Sequence, residues 1–479
     1  MVALDISNPT GRAHARLSAS QSKRWMSCPG SSALIDELPE HFKRSGIHAE
    51  RGTAAHTLVE RSLHEKLADC RQFEGYWINQ KGKMQRAAPV GSDGAPLDDG
   101  EEGWFIVDAD MMDAVDVMVE TVWAEMARIG RSAELSIERK FDLSWLRPEM
   151  FGTSDVSISQ FLGELVVIDY KHGKGVPVEV FQKDPKSGKL KPNPQLAYYA
   201  LGVAEQEGFT HETVTLIVVQ PRCPHDEGGV RRFSFPMADL LAFRDELAEA
   251  ADVVREAEAA YAAIKDPVEF QEWAAAWLTA GDHCYTSFCP KMATCSRAYG
   301  HAQEVAVAEF ADDPYTLDVP TPEDGMDRLA HVLRWAKYLD AFVKAAKAHG
   351  MRAREIGLTV PDHKVIRGKS TRAFVVSEEE VVAAATAYVP KDAVYTTPKL
   401  KSPAQLEKLG KEIKKLVQGV QNPKYDPQVE GSQEWLIEPL AKKRPGKLTL
   451  VHVSQPGEEV AIDAASDFED PYEDEGAED

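Results

Sequence analysis

Two acids and a lysine stand where paired strands would hold them together. Asp155 ends the run Gly152-Thr153-Ser154-Asp155 at the start of one predicted strand. Val166-Val167-Ile168-Asp169-Tyr170-Lys171 ends the next with an acid, one residue and a lysine. Alternate strand residues share a face, so Asp169 and Lys171 project together; if the strands pair, Asp155 lies beside Asp169. Close carboxylates repel unless a cation sits between them, and Mg²⁺ takes a few carboxylates together with water and phosphate oxygens. A cation there can polarise a phosphodiester and acidify water. Lys171 would then orient or activate that water, or stabilise charge developing on the phosphorane.

Two further pieces can serve the same centre. Gly52-Thr53-Ala54-Ala55-His56 starts an early helix, with His56 and Glu60 four apart on one face. Its small residues would let the helix approach a sheet closely, and an imidazole nitrogen of His56 can complete a metal shell. Gln195-Leu196-Ala197-Tyr198-Tyr199 places Gln195 and Tyr199 on one helical face, where they can bond a phosphate or hold Lys171. Each piece alone has a bland reading: an Asp-x-Lys surface pair, a Gly-x-x-Asp turn, a packed histidine. Their joint order is less easily dismissed.

At these residues the chain resembles the RecB-type branch of the PD-(D/E)XK nuclease superfamily. That branch carries a histidine on an early helix, an aspartate on one strand, an acid-x-lysine on the next, and a helical Gln-x-x-x-Tyr. The resemblance implies a divalent-metal site, Mg²⁺ or Mn²⁺, formed by His56, Asp155, Asp169 and the carbonyl of Tyr170. Lys171, Gln195 and Tyr199 would complete the catalytic group, and the substrate would be DNA.

Three of the six cysteines, Cys284, Cys289 and Cys295, fall within twelve residues, in His-Cys-Tyr-Thr-Ser-Phe-Cys-Pro-Lys-Met-Ala-Thr-Cys. Thiolates so spaced hold Zn²⁺ or an iron–sulfur cluster. A fourth ligand is needed, and Cys28 in Met26-Ser27-Cys28-Pro29-Gly30 is the candidate, with His283 a possible substitute for Cys284. This too resembles a subset of RecB-type nucleases, in which one N-terminal and three C-terminal cysteines clamp a 4Fe–4S cluster around the nuclease core. Here four residues, Tyr285 to Phe288, separate the first pair where that subset has two. A structural Zn²⁺ site stays open. Cys70 and Cys223 read as buried free thiols.

The elements that must position these residues follow from periodicity. Ser18–Leu34 reads as a helix start and a turn, and Glu50–Leu67 and Asp108–Gly130 as helices around a Gly/Asp/Pro-rich loop, Gly91–Gly103. Ala133–Phe141, Gly152–Gln160 and Glu164–Tyr170 alternate as strands, the last two joined in a hairpin at Phe161-Leu162-Gly163. A helix over Asn193–Ala204, a strand over His211–Gln220, an edge strand over Arg231–Phe235 and a long helix over Met237–Ile264 complete the core. The expected fold is α/β: a restriction-endonuclease-like mixed sheet flanked by helices, with an additional C-terminal α+β region.

At 479 residues the chain is expected to hold two or three domains: a nuclease core over 1–300 with the cysteines at its ends, an accessory region over 301–460 and an acidic, disordered tail over 461–479. In the accessory region Pro322–Gly350 reads as helical, with Trp335, Leu339 and Phe342 on one face. Basic segments follow at His363–Arg372, Lys399–Lys415 and Lys442–Lys447, for DNA or partner contact. Net charge is −22, and nine acidic residues with no basic one lie between Asp463 and Asp479. Such a balance argues against a general nucleic-acid coat, so a DNA site must be a local, salt-sensitive patch.

No apolar run long enough for a membrane span is found, nor a secretory signal, so a cytoplasmic protein is expected, in a bacterial host if phage-encoded. The layout, with Arg-Trp-Met-Ser-Cys-Pro-Gly-Ser near the start and Ser-Phe-Cys-Pro-Lys-Met-Ala-Thr-Cys after the core, resembles an uncharacterised, phage-associated family. That implies an exonuclease resecting DNA ends in recombination or replication, with a single-strand annealing protein as partner. The alternatives are a nucleic-acid-binding protein with an inactive nuclease fold, a zinc hydrolase, which lacks a His-Glu-x-x-His motif here, and an interaction protein using the Lys-rich C-terminal segments.

Overall fold

The computed structural model describes residues 15–43, 46–91, 97–148, 150–184, 187–311, 326–367, 371–374, 378–386, 394–396, 399–400, 441–444 and 448–452. The acidic segment 461–479 and all of Lys399–Lys415 but its first two residues fall outside them. Two compact units divide between His349 and Gly350.

In the first unit short helices α1 (Ser22–Ser27) and α2 (Ser31–Asp36) precede α3 (Ile47–His64). A small antiparallel sheet of β1 (Trp77–Asn79), β2 (Met84–Gln85) and β3 (Trp104–Ile106) leads into α4 (Ala109–Ile129). Asp108 starts α4 by accepting the Met111 amide at 2.8 Å, a cap worth about 1 kcal/mol. The main sheet then forms from β4 (Glu134–Asp142), β5 (Phe151–Ser159) and β6 (Glu164–Tyr170).

A short hairpin, β7 (Phe181–Lys183) and β8 (Leu190–Pro192), leads to α5 (Pro194–Gln206). Asn193 caps α5 through the amides of Gln195 and Leu196, with Pro194 at the first turn, where its missing N–H costs nothing. β9 (Thr213–Val219) and β10 (Val230–Pro236) complete the sheet in the order β10-β9-β6-β5-β4. β6 and β9 run parallel and the other neighbours antiparallel, so the sheet is mixed.

The alternation of β6 divides the core. Leu165 and Val167 pack on α5 and on α6 (Met237–Ala262), whereas Val166, Ile168 and Tyr170 pack on α3 and α4. Both faces are therefore covered by helices, and β6 reads as an almost unbroken apolar run. Asp169 falls in the α5 series, at the strand's end. Beyond the sheet come α7 (Pro267–Trp277), α8 (His283–Thr286), α9 (Ser296–Ala311) and α10 (Met326–Glu355). Asp266 caps α7, with Pro267 next, a start signal the sequence carried and periodicity did not reveal. On α10, Leu339 and Phe342 pack on one apolar cluster; the side chain of Trp335 lies outside the described residues.

The second unit holds antiparallel pairs: β11 (His363–Arg367) with β16 (Leu448–His452), β12 (Thr371–Phe374) with β15 (Ala441–Arg444), and β13 (Tyr395–Thr396) with β14 (Lys399–Leu400). Helix α11 (Glu378–Thr386) accompanies them. Among the described residues no helix is long and apolar enough to cross a membrane.

Candidate metal and cysteine centres

The ladder between β5 and β6 ends at the pair Val156 and Ile168. The next amide, of Tyr170, donates to the Asp155 side chain instead, Oδ2 accepting at 3.0 Å. Nδ1 of His56 lies 3.3 Å from the same oxygen, brought there by α3, whose Ala54 and Ala55 are fully buried. One register step away Asp169 is buried, with Lys171 Nζ at 3.0 Å from Oδ2 and 3.2 Å from Oδ1. His56, Asp155, Asp169 and Lys171 therefore converge where the two strands part.

Burial pushes the Asp169 carboxyl upward; Lys171 opposes that shift and Asp155 adds to it. Oδ2 has ammonium contact but no aligned hydrogen-bond donor. A buried carboxylate so placed is costly unless a cation compensates it. Lys171 occupies the position of that countercharge.

Glu138 was not among the residues singled out from sequence. In Leu135-Ser136-Ile137-Glu138-Arg139-Lys140-Phe141 it falls in the polar slot of an alternating strand and reads as solvent-facing. Its φ is +48°, left-handed backbone in the middle of β4. The ladder pairs Ile137 with Val156 and Arg139 with Ser154, with Glu138 between them. The strand changes face there: Leu135 and Ile137 pack with α3 and α4, and Phe141 packs in the opposite core. Such a residue costs about 1–3 kcal/mol, a strain found where a site requires it.

The effect is a third acid at the centre. One ligand atom each from His56, Glu138 and Asp155 lie within 4.8 Å of one another, the one such trio among the described residues. Burial raises the Glu138 carboxyl to about 8, with Asp155 and Glu60 adding to the shift. Asp169 stands outside that trio; the carboxylates are the hard oxygen donors that Mg²⁺ or Mn²⁺ takes, and the imidazole is a softer one.

Gln195 and Tyr199 are on α5 and touch each other. Gln195 Nε2 donates to Tyr199 Oη at 3.0 Å and reaches Asp169 Oδ1 at 3.5 Å. Burial, then the charges of Asp169 and Asp155, hold the Tyr199 phenol protonated. These two residues orient Asp169. Tyr170 supplies the peptide between Asp169 and Lys171, and its ring is buried against His56, centroids 5.2 Å apart.

The four cysteines gather although 256 positions separate Cys28 from Cys284. Cys28 accepts the Thr279 amide at 3.4 Å. Cys295 packs both on the cluster of Cys28, Trp273 and Leu278 and on that of Cys284, Met292 and Tyr338. The Cys289 amide donates to the Cys284 carbonyl at 2.9 Å. Burial raises the thiol of Cys28 to about 12 and that of Cys289 to about 11, so a metal bound there would have to displace their protons.

Four thiols can hold either Zn²⁺ or an iron–sulfur cluster. Tetrahedral zinc needs thiolate sulfurs roughly 3.8 Å apart, given Zn–S bonds of about 2.3 Å. Among the described residues no three of these sulfurs lie within 4.8 Å of one another. His283 Nε2 is engaged with the Thr279 carbonyl at 3.0 Å. Cys70 is a core residue beneath α4, its amide donating to Asp116, and Cys223 is buried apart from this group.

The chain belongs to the family described as "Protein of unknown function (DUF2800)", whose model matches residues 14–458 and so takes in both centres. No solved structure matches the chain.

Proposed function

We propose that the chain is a divalent-metal-dependent deoxyribonuclease of the PD-(D/E)XK type, RecB-like in its motifs, and that it resects DNA ends as an exonuclease. The observation that carries this reading is the convergence of Asp155, Asp169, Lys171 and His56 at the fork between β5 and β6. Glu138 joins them from the adjoining strand. His56, Glu138, Asp155 and Asp169 would hold Mg²⁺ or Mn²⁺, with the Tyr170 carbonyl as a further donor. Such an ion supplies Lewis acidity to a phosphoryl oxygen and makes water a better nucleophile.

The chain's own residues do the rest. Lys171 holds the attacking water or the charge that develops on the phosphorane. Gln195 keeps Asp169 turned toward the centre, and Tyr199 keeps Gln195 in place. The four cysteines would hold a 4Fe–4S cluster that ties the first helices to the segment after the core. DNA is the partner this reading requires, and a single-strand annealing protein would use the resected product.

The test is cleavage of end-labelled linear, circular and single-stranded DNA with Mg²⁺, Mn²⁺ or EDTA, beside Lys171→Ala. Metal-dependent loss of linear DNA alone, absent in the variant, supports the exonuclease. Cleaved circles mean an endonuclease. A folded, metal-loaded protein that cuts nothing yet retains DNA would be a nucleic-acid-binding protein with an inactive nuclease fold.

A further inference from the structure

Arg24 lies on α1, one turn before Cys28, and its carbonyl accepts the Cys28 amide at 2.8 Å. The helix packs on α6 and on α8, which carries Cys284. Arg24 is only 8% exposed. One guanidinium nitrogen donates to Gln21 Oε1 at 2.7 Å, and Nε is buried with no hydrogen-bond partner. A guanidinium does not shed its proton, so this is a fixed positive charge in an apolar setting.

Burial works against this charge, and Cys289, then Cys28, then Asp36 act in its favour. Asp36 is already paired with Arg16 at 2.6 Å. Neutral thiols are poor acceptors and leave Arg24 uncompensated, whereas thiolates bound to an iron–sulfur cluster carry net negative charge and accept hydrogen bonds at sulfur. Neighbours that hydrogen-bond to the ligands orient them and tune a metal centre.

We propose that Arg24 is the buried countercharge of a four-thiolate iron–sulfur centre at Cys28, Cys284, Cys289 and Cys295, donating to sulfur on its Cys28–Cys289 side. This rests on the cluster assigned under the proposed function. Arg24 is a positioning residue: it favours the loaded state and eases addition of an electron.

The full chain is purified without oxygen as parent, Arg24→Lys and Arg24→Gln. Iron and acid-labile sulfide are assayed, the cluster is titrated with reductant, and thermal unfolding is followed with and without cluster. The parent should hold iron and sulfide. Arg24→Gln should shift the reduction potential to more negative values and speed bleaching of the visible absorbance in air. Arg24→Lys should fall between.

Arg24→Gln should also lower the melting temperature of the loaded protein while leaving the cluster-free protein equal or more stable. Equal potential and bleaching in parent and Arg24→Gln would overturn the proposal and leave the cluster standing. Equal loss of melting temperature, or of folding, with and without cluster would make Arg24 merely structural and overturn it too. A parent without iron would remove both the cluster and the proposal.

Discussion

The Tyr170 amide donates to Asp155 Oδ2 at 3.0 Å where the β5–β6 ladder would otherwise supply a backbone carbonyl. A side chain thus stands in for the ladder. That substitution fixes one oxygen of Asp155 and opens the fork into which Asp169, Lys171 and His56 project. Asp169→Asn keeps the shape, removes the buried negative charge and deprives Lys171 of its ion pair. Cleavage should fall by about 10²–10³, the scale seen when an electrostatic contact made in the transition state is lost. Stability should stay within about 1 kcal/mol, because the burial cost of the carboxylate disappears with its ion pair. Parallel nuclease and urea-unfolding measurements check this; an Asp169→Asn protein that cuts DNA at the parental rate removes Asp169 from the active centre.

Glu138 permits a separate test of strain and of ligation. Glycine tolerates φ of +48° without cost, so Glu138→Gly should raise metal-free stability by about 1 kcal/mol or more. The same variant should bind Mn²⁺ more weakly, read by calorimetric titration. Glu138→Gln, which keeps length and strain, should lose affinity without the gain in stability. Unaltered Mn²⁺ affinity in both variants would make Glu138 a bystander.

The sequence made the centre legible where chemistry follows local periodicity. Asp169 and Lys171 share a face because strands alternate, and Gln195 and Tyr199 meet because helices repeat every three to four residues. The boundaries of α4 and α5 were readable from Asp108 and Asn193, which cap them. Glu138 was not readable. Its strand looks uninterrupted, and only packing Phe141 into the core opposite Ile137 forces the left-handed residue between them. Arg24 was hidden for a related reason, since a basic residue near the start of a helix gives no hint that it will be buried. The strands β1 to β3 have two or three residues each, too few for an alternating pattern to register.

Phe141 also links the sheet to α5. A Cβ on Gly202 would stand 2.2 Å from the Phe141 ring, and one on Gly152 would stand 2.8 Å from it. Gly202 therefore sets how closely α5 approaches β4, and α5 carries Gln195 and Tyr199. Helix propensity alone would favour alanine by about 1 kcal/mol. Overpacking against a buried ring should outweigh that, so Gly202→Ala should destabilise by about 1–3 kcal/mol in total. Chemical denaturation measures it. A more stable Gly202→Ala protein would mean the ring has room to move.

Glu207 gives the acid dependence its sign. Burial alone would raise its carboxyl, but hydrogen bonds from His211, Ser159 and Arg139 outweigh that and hold it at about 2. His211 Nε2 lies 3.0 Å from Oε2, and Arg139 pairs with the other oxygen. The folded value is below the unfolded one, near 4.3. The folded protein therefore releases this proton more readily, and the resulting stability is fully present above the unfolded value. It is lost as pH falls from about 4.5 toward 2. Glu207→Gln should be less stable than the parent at neutral pH, and the gap should narrow steadily across that window. Unfolding free energies of both proteins between pH 7 and the acid limit of folding would show it; a gap that stays constant with pH would mean that Glu207 contributes by packing and not by charge.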